Sequence, residues 1–129
     1  MKFLTLALLA ATLLPAQDFT GRWTGTADTV DETGVKRQEQ HTLEIKSEDG
    51  KLTAARIGKS GKPGIAMQVQ TDGPKIQLIE FLPTGGGEPL RWKLTLTEGK
   101  LTGHYQVLHD DPKKWQYDRT GPATYSKAP

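Results

Sequence analysis

Short segments in which apolar and polar residues alternate cover most of the chain after residue 18, and turn-forming residues separate them. In the stretch TLEIK, Leu43 and Ile45 alternate with polar neighbours, and Asp49 with Gly50 precedes the next segment. A period of two is typical of a β-strand with one buried face, and a two-residue Asp-Gly turn is typical of a β-hairpin. The pattern therefore predicts a hairpin centred on residues 49–50.

The same arrangement occurs twice more along the chain. Turns are predicted at Asp72 with Gly73 and at Glu98 with Gly99, and the pieces DGKLTA and EGKLTG are nearly identical. The predicted apolar face of the last hairpin carries Leu90, Trp92, Leu94, Leu96, Leu101, Tyr105 and Val107. Because one hairpin is too small to bury its own apolar face, we expect the hairpins to pack together in one sheet.

Eight strands are predicted, at 18–28, 38–48, 51–57, 64–70, 75–82, 89–97, 100–108 and 114–125. A meander of eight strands leaves two open edges unless it closes. An eight-stranded barrel removes both edges, and its interior is wide enough for side chains or one small ligand. We therefore predict an all-β fold, an antiparallel eight-stranded up-and-down barrel, with a two-sheet β-sandwich as the alternative.

The first sixteen residues, MKFLTLALLAATLLPA, differ from the rest of the chain. A lysine, an apolar stretch and a small residue at Ala16 form the pattern of a secretory signal peptide; a membrane anchor or a buried strand is the alternative. Cleavage would leave 17–129 as a single domain without a membrane span. The chain has no cysteine, so export without disulfides predicts a bacterial periplasmic or extracellular protein.

The charges are balanced and dispersed along the sequence. There are 17 basic and 15 acidic residues, for a formal net charge of +2. Nucleic-acid-binding domains concentrate basic residues on one face or in runs, and this chain does not. We expect no nucleic-acid partner.

The first strand places a tryptophan between glycines. Alternation puts Phe19, Gly21, Trp23, Gly25 and Ala27 on one face. Glycines on the same face make room for the indole and let the strand bend. Trp23 is therefore predicted to close one end of a curled sheet, or, as the alternative, to be an ordinary core residue of a sandwich.

Two short stretches resemble a known superfamily. FTGRWTGTA resembles the glycine-x-tryptophan signature of the calycins, which comprise the lipocalins, fatty-acid-binding proteins and avidins, and GKLTGHY is similar to a second-strand motif of avidins. The resemblance implies a closed β-barrel. It also implies that an arginine from a late strand covers the tryptophan, and Arg119 in WQYDRTG matches that place, which implies a Trp23–Arg119 cation–π contact. The biotin site of avidins is not implied, because the chain has no asparagine.

A second group of candidates is polar. Glu80 points inward if its strand is in register with Ile76 and Leu78, and outward if Ile79 and Phe81 face the core. A buried carboxylate needs a partner, for which His41 or Arg119 is the expectation, and such a group often marks a functional site. An acid and a histidine would also be compatible with a small hydrolase.

Other candidate residues surround a predicted cavity. Tyr105 and Tyr117 combine a stacking surface with a hydroxyl and suit a partly apolar ligand, whereas Trp92 lies among leucines and is predicted to be core. The stretch GKSGKPG, 58–64, does not have phosphate-loop spacing and is either a rim of the barrel mouth or a spacer. No histidine pair has metal-ligand spacing, and HDDP at 109–112 is predicted to be a turn, so no metal or cofactor is expected.

These patterns together predict a non-catalytic barrel that binds a small, partly apolar molecule. The predicted ligand-binding residues are Trp23, His41, Glu80, Tyr105, Tyr117 and Arg119. The alternatives are a structural or interaction domain of the bacterial envelope with a filled core and, third, a small hydrolase.

Overall fold

The computed structural model describes residues 18–30, 35–81, 89–108 and 119–128, with backbone only for Val30, Arg119 and Thr120. The predicted signal peptide, Tyr117, the HDDP turn and the glycines at 85–87 lie outside the described residues. Within the described ranges, no helix is long and apolar enough to cross a membrane.

The regular elements of the described residues are nine β-strands. They are β1 (Gly21–Val30), β2 (Lys36–Glu48), β3 (Lys51–Ile57), β4 (Pro63–Ala66), β5 (Gln68–Asp72), β6 (Lys75–Glu80), β7 (Leu90–Thr97), β8 (Lys100–Val107) and β9 (Arg119–Lys127).

All nine strands belong to one antiparallel sheet, in the order β4-β3-β2-β1-β9-β8-β7-β6-β5. Consecutive strands pair as in a meander, except β4 with β5, and the last strand returns to the first, with Trp23 opposite Lys127 and Ala27 opposite Ala123. The prediction of an antiparallel up-and-down barrel is confirmed, since the single sheet is nearly closed. The chain does not form the alternative two-sheet sandwich.

The predicted fourth strand is divided into two short strands. Met67 separates β4 from β5, and its backbone N–H donates a hydrogen bond of 2.8 Å to the carbonyl oxygen of Ala54. β4 pairs with β3, whereas β5 pairs with β6. The segment therefore pairs with one neighbouring strand before Met67 and with the other after it. Because β4 and β5 do not pair with each other, the barrel is closed only in part.

Two of the three predicted turns have the predicted position. Asp49 with Gly50, and Glu98 with Gly99, all have positive φ, as a type I′ turn requires. The third turn is one residue later than predicted. Asp72 pairs with Lys75, so Gly73 and Pro74 form the loop. Proline has no N–H to donate and is therefore placed outside the ladder.

The inward faces of the strands form one continuous core. Trp23 is 1% exposed, and its Nε1–H donates a hydrogen bond of 2.8 Å to the carbonyl oxygen of Phe19. The largest fully buried side chains are Trp23, Trp92, Tyr105, Tyr125, Leu43, Ile45, Ile76, Leu78, Leu94, Leu101 and Leu108. The predicted inward faces of β1, β7 and β8 are those observed.

The role predicted for the glycines beside Trp23 needs a correction at Gly25. A Cβ at Gly25 would lie 1.9 Å from the backbone oxygen of Thr124 and 2.8 Å from Cα of Tyr125. The glycine is therefore required by the close approach of β1 to β9, and not by the indole. The closing seam of the barrel depends on this residue.

Candidate functional site

A cluster of polar and aromatic side chains occupies the barrel interior beyond Trp23. His41, Glu80, Tyr105 and Tyr125 are all buried there, although all four are titratable side chains. They lie on four different strands, β2, β6, β8 and β9, which the closed sheet brings together. Burial without a partner would destabilise such groups, so their hydrogen bonds define the site.

A chain of hydrogen bonds links Trp92, Tyr125 and His41. The indole Nε1–H of Trp92 donates to the hydroxyl oxygen of Tyr125 at 2.9 Å, and that oxygen lies 2.8 Å from Nδ1 of His41. The tyrosine satisfies all three groups if it accepts from Trp92 and donates its own proton to His41. This assigns the proton of a neutral His41 to Nε2.

The imidazole of His41 is held neutral by its surroundings. Burial lowers its pKa to about 4, and the nearby charge of Arg56 contributes to the same shift. The ring packs against Tyr105 with 4.8 Å between centroids and against Trp92 with 5.6 Å. Its Nε2 faces Glu39 at 3.7 Å, beyond normal hydrogen-bond distance. His41 is therefore an acceptor for Tyr125 at neutral pH.

Tyr105 lies at the centre of the aromatic part of the cluster. Its ring is 5.1 Å from that of Trp92, measured between centroids. Burial raises the pKa of its hydroxyl, and the negative charge of Glu39 adds to this shift. Tyr105 is thus a neutral phenol that can donate a hydrogen bond.

Glu80 is buried and points inward, in the register that includes Ile76 and Leu78. Its partner is neither of the two predicted residues. Arg56 donates from Nε to Oε1 at 3.2 Å and from Nη2 to Oε2 at 2.9 Å, a two-point ion pair. Arg56 lies on β3, on the same face as buried Ala54. It was missed because an arginine near the end of a short strand is usually exposed to solvent.

The Arg56–Glu80 pair links β3 to β6, two strands that have no backbone hydrogen bonds to each other. Arg56 is on β3 and Glu80 is at the end of β6, on either side of the β4–β5 bend. Burial by itself would lower the pKa of Arg56, but the hydrogen bond and charge of Glu80 outweigh it and raise the pKa. The guanidinium is therefore permanently charged.

A depression of about 390 Å³ opens at this pair and is called the mouth here. Its lining residues are Arg56, Ile57, Gly58, Ser60, Lys62, Pro63, Gly64, Ile65 and Glu80. Most of the stretch GKSGKPG therefore lines an opening, which agrees with the rim interpretation of that stretch.

A second depression, of about 430 Å³, lies near the Gly73–Pro74 turn. Its ionisable lining residues are Asp72, Lys75 and Lys93, all of which are exposed. It therefore lacks a buried polar group that could orient a ligand, in contrast to the mouth.

Lys127 lies over the ring of Trp23, whereas the side chain of Arg119, the predicted cation, lies outside the described parts of the chain. Nζ of Lys127 lies 5.5 Å from the centroid of the Trp23 ring and 3.7 Å from Oδ2 of Asp18. The two basic residues are the last and first residues of β9, and the backbone of Arg119 pairs with Val107. The register of β9 on β1 thus places Lys127 beside the indole.

The structure brings three of the predicted site residues into the same region, His41, Glu80 and Tyr105. Trp23 is buried in the core on β1, and the side chains of Tyr117 and Arg119 are outside the described parts. Arg56 and Tyr125 were missed, and Trp92 has a donor role in addition to its predicted core role. Among the described residues, no cluster of three or more His, Cys, Asp or Glu could hold a metal ion.

Comparison with known proteins gives no match to a protein family, to a curated protein or to a solved structure.

Proposed function

We propose that this barrel is a non-catalytic binding module for a small, partly apolar molecule, and that it binds this molecule at the mouth. The observation that supports the proposal most strongly is the combination found there. A depression of about 390 Å³ has apolar walls from Ile57 and Ile65 and contains an ion pair between buried Glu80 and partly exposed Arg56. Small-molecule sites typically have this volume, mostly apolar walls and a few convergent polar groups.

The deep interior is less suited to a ligand. Trp23 and Trp92 fill it together with Tyr105 and Tyr125, and each of these side chains is almost completely buried. A ligand in that region would have to displace packed aromatic rings, which large-to-small core substitutions show to be costly. None of these four aromatic side chains lines the mouth, so the proposed site does not require them to move.

A structural or interaction domain is the second candidate function. The specific observation in its favour is the same filled interior, since a barrel with a packed core needs no ligand for stability. A small hydrolase finds less support. Glu80 is engaged by Arg56, and His41 is engaged by Tyr125, so these two residues do not act on each other.

Binding of fluorescent hydrophobic probes tests the proposal. Two probes, neutral 1-N-phenylnaphthylamine and anionic 8-anilinonaphthalene-1-sulfonate, cover both ligand charges. We expect saturable binding of at least one probe to the purified chain, and at least a tenfold loss of affinity in Ile65→Trp, where the indole fills the mouth.

The matched control is Thr95→Trp, which places the same side chain in the depression near the Gly73–Pro74 turn. It should bind the probe as the original chain does. Absence of saturable binding, or loss of binding in Thr95→Trp and not in Ile65→Trp, would contradict the proposed site. In that case the structural or interaction role is the better account.

The predicted signal peptide indicates the compartment in which the binding module acts. We propose that 1–16 directs export and that the mature chain begins at Gln17 in the periplasm or outside the cell. Expression of the full sequence in a bacterium, followed by N-terminal sequencing of the secreted or periplasmic product, tests this. An uncleaved protein in the cytoplasm would contradict it.

A further inference from the structure

The charge of the mouth indicates which kind of ligand it can hold. A guanidinium has five N–H donors. Arg56 uses two of them on Glu80, one from Nε and one from Nη2. The other three donate to no acceptor in the described part of the chain. These donors belong to a side chain that is 41% exposed and that lines the mouth.

Glu80 acts here as a positioning residue. It is 4% exposed, and both of its oxygens bind the same guanidinium. Two parallel hydrogen bonds fix the plane of the guanidinium as well as its position. Arg56 therefore presents its remaining donors in a defined direction without first losing side-chain entropy, which favours binding.

A second positive charge comes from the loop that follows β3. The N–H of Gly58 donates to the carbonyl oxygen of Lys62 at 3.1 Å, and the N–H of Gly61 donates to the carbonyl oxygen of Gly58 at 2.9 Å. Gly61 has a φ of +80°, which glycine adopts without strain. The loop therefore folds back on itself and places Lys62 and Ser60 along the mouth.

The ionisable groups that line the mouth are Arg56, Lys62 and Glu80. The charges of Glu80 and Arg56 offset each other, so the net charge available to a ligand is the positive charge of Lys62. The N–H donors available to a ligand are the three of Arg56 that do not bind Glu80. A cationic ligand would be repelled by Lys62, because the one carboxylate among the described residues of the lining, Glu80, is already paired with Arg56. The charge of Glu39 also acts on Arg56, but Glu39 does not line the mouth. An anionic group would satisfy both residues.

We propose that the mouth is an oxyanion-recognition site: the ligand carries one carboxylate, phosphate or sulfate group, which accepts hydrogen bonds from Arg56 and forms an ion pair with Lys62. Its apolar part lies against Ile57 and Ile65. This inference rests on the proposed binding function and adds the sign and chemistry of the polar group. Hydroxyl-bearing Ser60 supplies a further donor at the same rim.

The test compares ligands that share one tail and differ in the polar group. Isothermal titration calorimetry of the purified chain with octanoate, octyl phosphate, octyl sulfate, 1-octanol and octyltrimethylammonium isolates that group. A hydrogen bond to a charged group is stronger than one between neutral groups, and a tenfold change in affinity corresponds to about 1.4 kcal/mol. At least one anion should therefore bind ten times or more tightly than 1-octanol, and the cation should bind most weakly.

Two substitutions locate the effect. Lys62→Glu reverses the charge of an exposed loop residue and should reduce affinity for the preferred anion at least fivefold while leaving 1-octanol within twofold. The control, Lys93→Glu, makes the same charge change at an exposed position outside the mouth and should not alter the preference. Circular dichroism spectra and thermal midpoints of both variants verify that they are folded.

The outcomes separate the two proposals. Equal binding of 1-octanol and the anions, or an equal effect of Lys62→Glu and Lys93→Glu, would overturn oxyanion recognition and leave the binding function in place. Failure of every octyl compound and both fluorescent probes to bind would overturn both. The ranking of octanoate against the phosphate and the sulfate identifies which oxyanion the mouth prefers.

Discussion

The hydroxyl of Tyr125 lies 2.8 Å from Nδ1 of His41, and these two residues are 84 positions apart in the sequence. Trp92 donates to the same hydroxyl, so Tyr125 gives its single proton to the histidine. The barrel thus holds a histidine as a neutral acceptor in its interior. This arrangement has a measurable consequence for stability.

Acid is expected to destabilise the fold through His41. The folded-state pKa is lowered to about 4, whereas an unfolded histidine titrates near 6.5. As the pH falls below 6.5, the unfolded chain binds a proton that the folded chain does not, so unfolding becomes more favourable down to pH 4. The full loss is on the order of 3 kcal/mol, measurable by urea denaturation at pH 7.5, 6, 5 and 4.

His41→Asn is the matched variant for that measurement. The asparagine oxygen can take the place of Nδ1 as an acceptor for Tyr125, but the side chain does not titrate. Its stability should be lower at pH 7.5 and should have a smaller slope between pH 6.5 and 4, so that the difference from the original chain narrows or reverses as the pH falls. An unchanged slope would show that other groups cause the acid sensitivity.

Removing Arg56 should cost more stability than removing the pair. Arg56→Met leaves a buried carboxylate without a counter-ion, and we expect a loss of about 2 kcal/mol. That is below the 3–5 kcal/mol typical of fully buried pairs because the guanidinium is partly exposed and screened by water. The double variant, Arg56→Met with Glu80→Met, should recover most of the loss.

A double-mutant cycle at pH 7 measures the coupling between the two residues by chemical denaturation. The cycle requires the two single-substitution variants, Arg56→Met and Glu80→Met. A coupling energy below about 0.5 kcal/mol would mean that the ion pair does not stabilise the gap between β3 and β6.

Gly25→Ala should disrupt the closing seam. The added methyl would lie 1.9 Å from the backbone oxygen of Thr124, and backbone cannot rotate away as a side chain can. We expect a loss of about 3 kcal/mol or more, at the upper end for overpacking. Gly58→Ala is the control, since its nearest neighbour would be 3.9 Å away. Similar thermal midpoints for the two variants would contradict this explanation.

Trp23→Ala should be among the most damaging core substitutions. The indole is 1% exposed, and truncation of a buried tryptophan or phenylalanine typically costs about 3–5 kcal/mol. Lys127→Met removes the cation over the ring together with its exposed ion pair to Asp18, and should cost about 1 kcal/mol or less. Thermal and urea denaturation of both variants tests this. A cost below 1 kcal/mol for Trp23→Ala would be incompatible with its burial.

Glu98→Asn should stabilise the fold. Glu98 has a φ of +52°, a conformation that costs most L-residues about 1–2 kcal/mol and that asparagine tolerates better. We expect a gain of about 1 kcal/mol, because Asn-Gly is the preferred pair for a type I′ turn. Asp49→Asn at the equivalent turn is the control and should change stability little. A loss of stability in Glu98→Asn would contradict the turn assignment.

Local features of the fold were predictable because they depend on near neighbours in sequence. The turns at 49–50 and 98–99 follow from a residue pair with a known preference, and the inward faces of β7 and β8 follow from alternation. The turn near Gly73 shows the limit of this reasoning. Its loop is displaced by Pro74, and the sequence alone left both placements compatible with the apolar pattern.

Only part of the site was predictable. His41 and Tyr105 stood out as polar or amphipathic residues on predicted apolar faces. For Glu80 the sequence left the inward and outward directions open, and the register of β6 decided for the inward one. Arg56 gave no such signal, because an arginine near the end of a short strand is usually solvated. Its role depends on the closure of the sheet at the bend near Met67, where β4 pairs with β3 and β5 pairs with β6, and where Arg56 comes within reach of Glu80.

The sequence by itself determined the period of the strands, their number apart from the division at Met67, and the burial of Trp23, since each follows from local alternation and turn chemistry. The tertiary structure decided which distant side chains meet: Lys127 over Trp23, Tyr125 on His41 and Arg56 on Glu80. These contacts depend on register and closure, which are set by long-range pairing and by the close approach of β1 to β9 at Gly25.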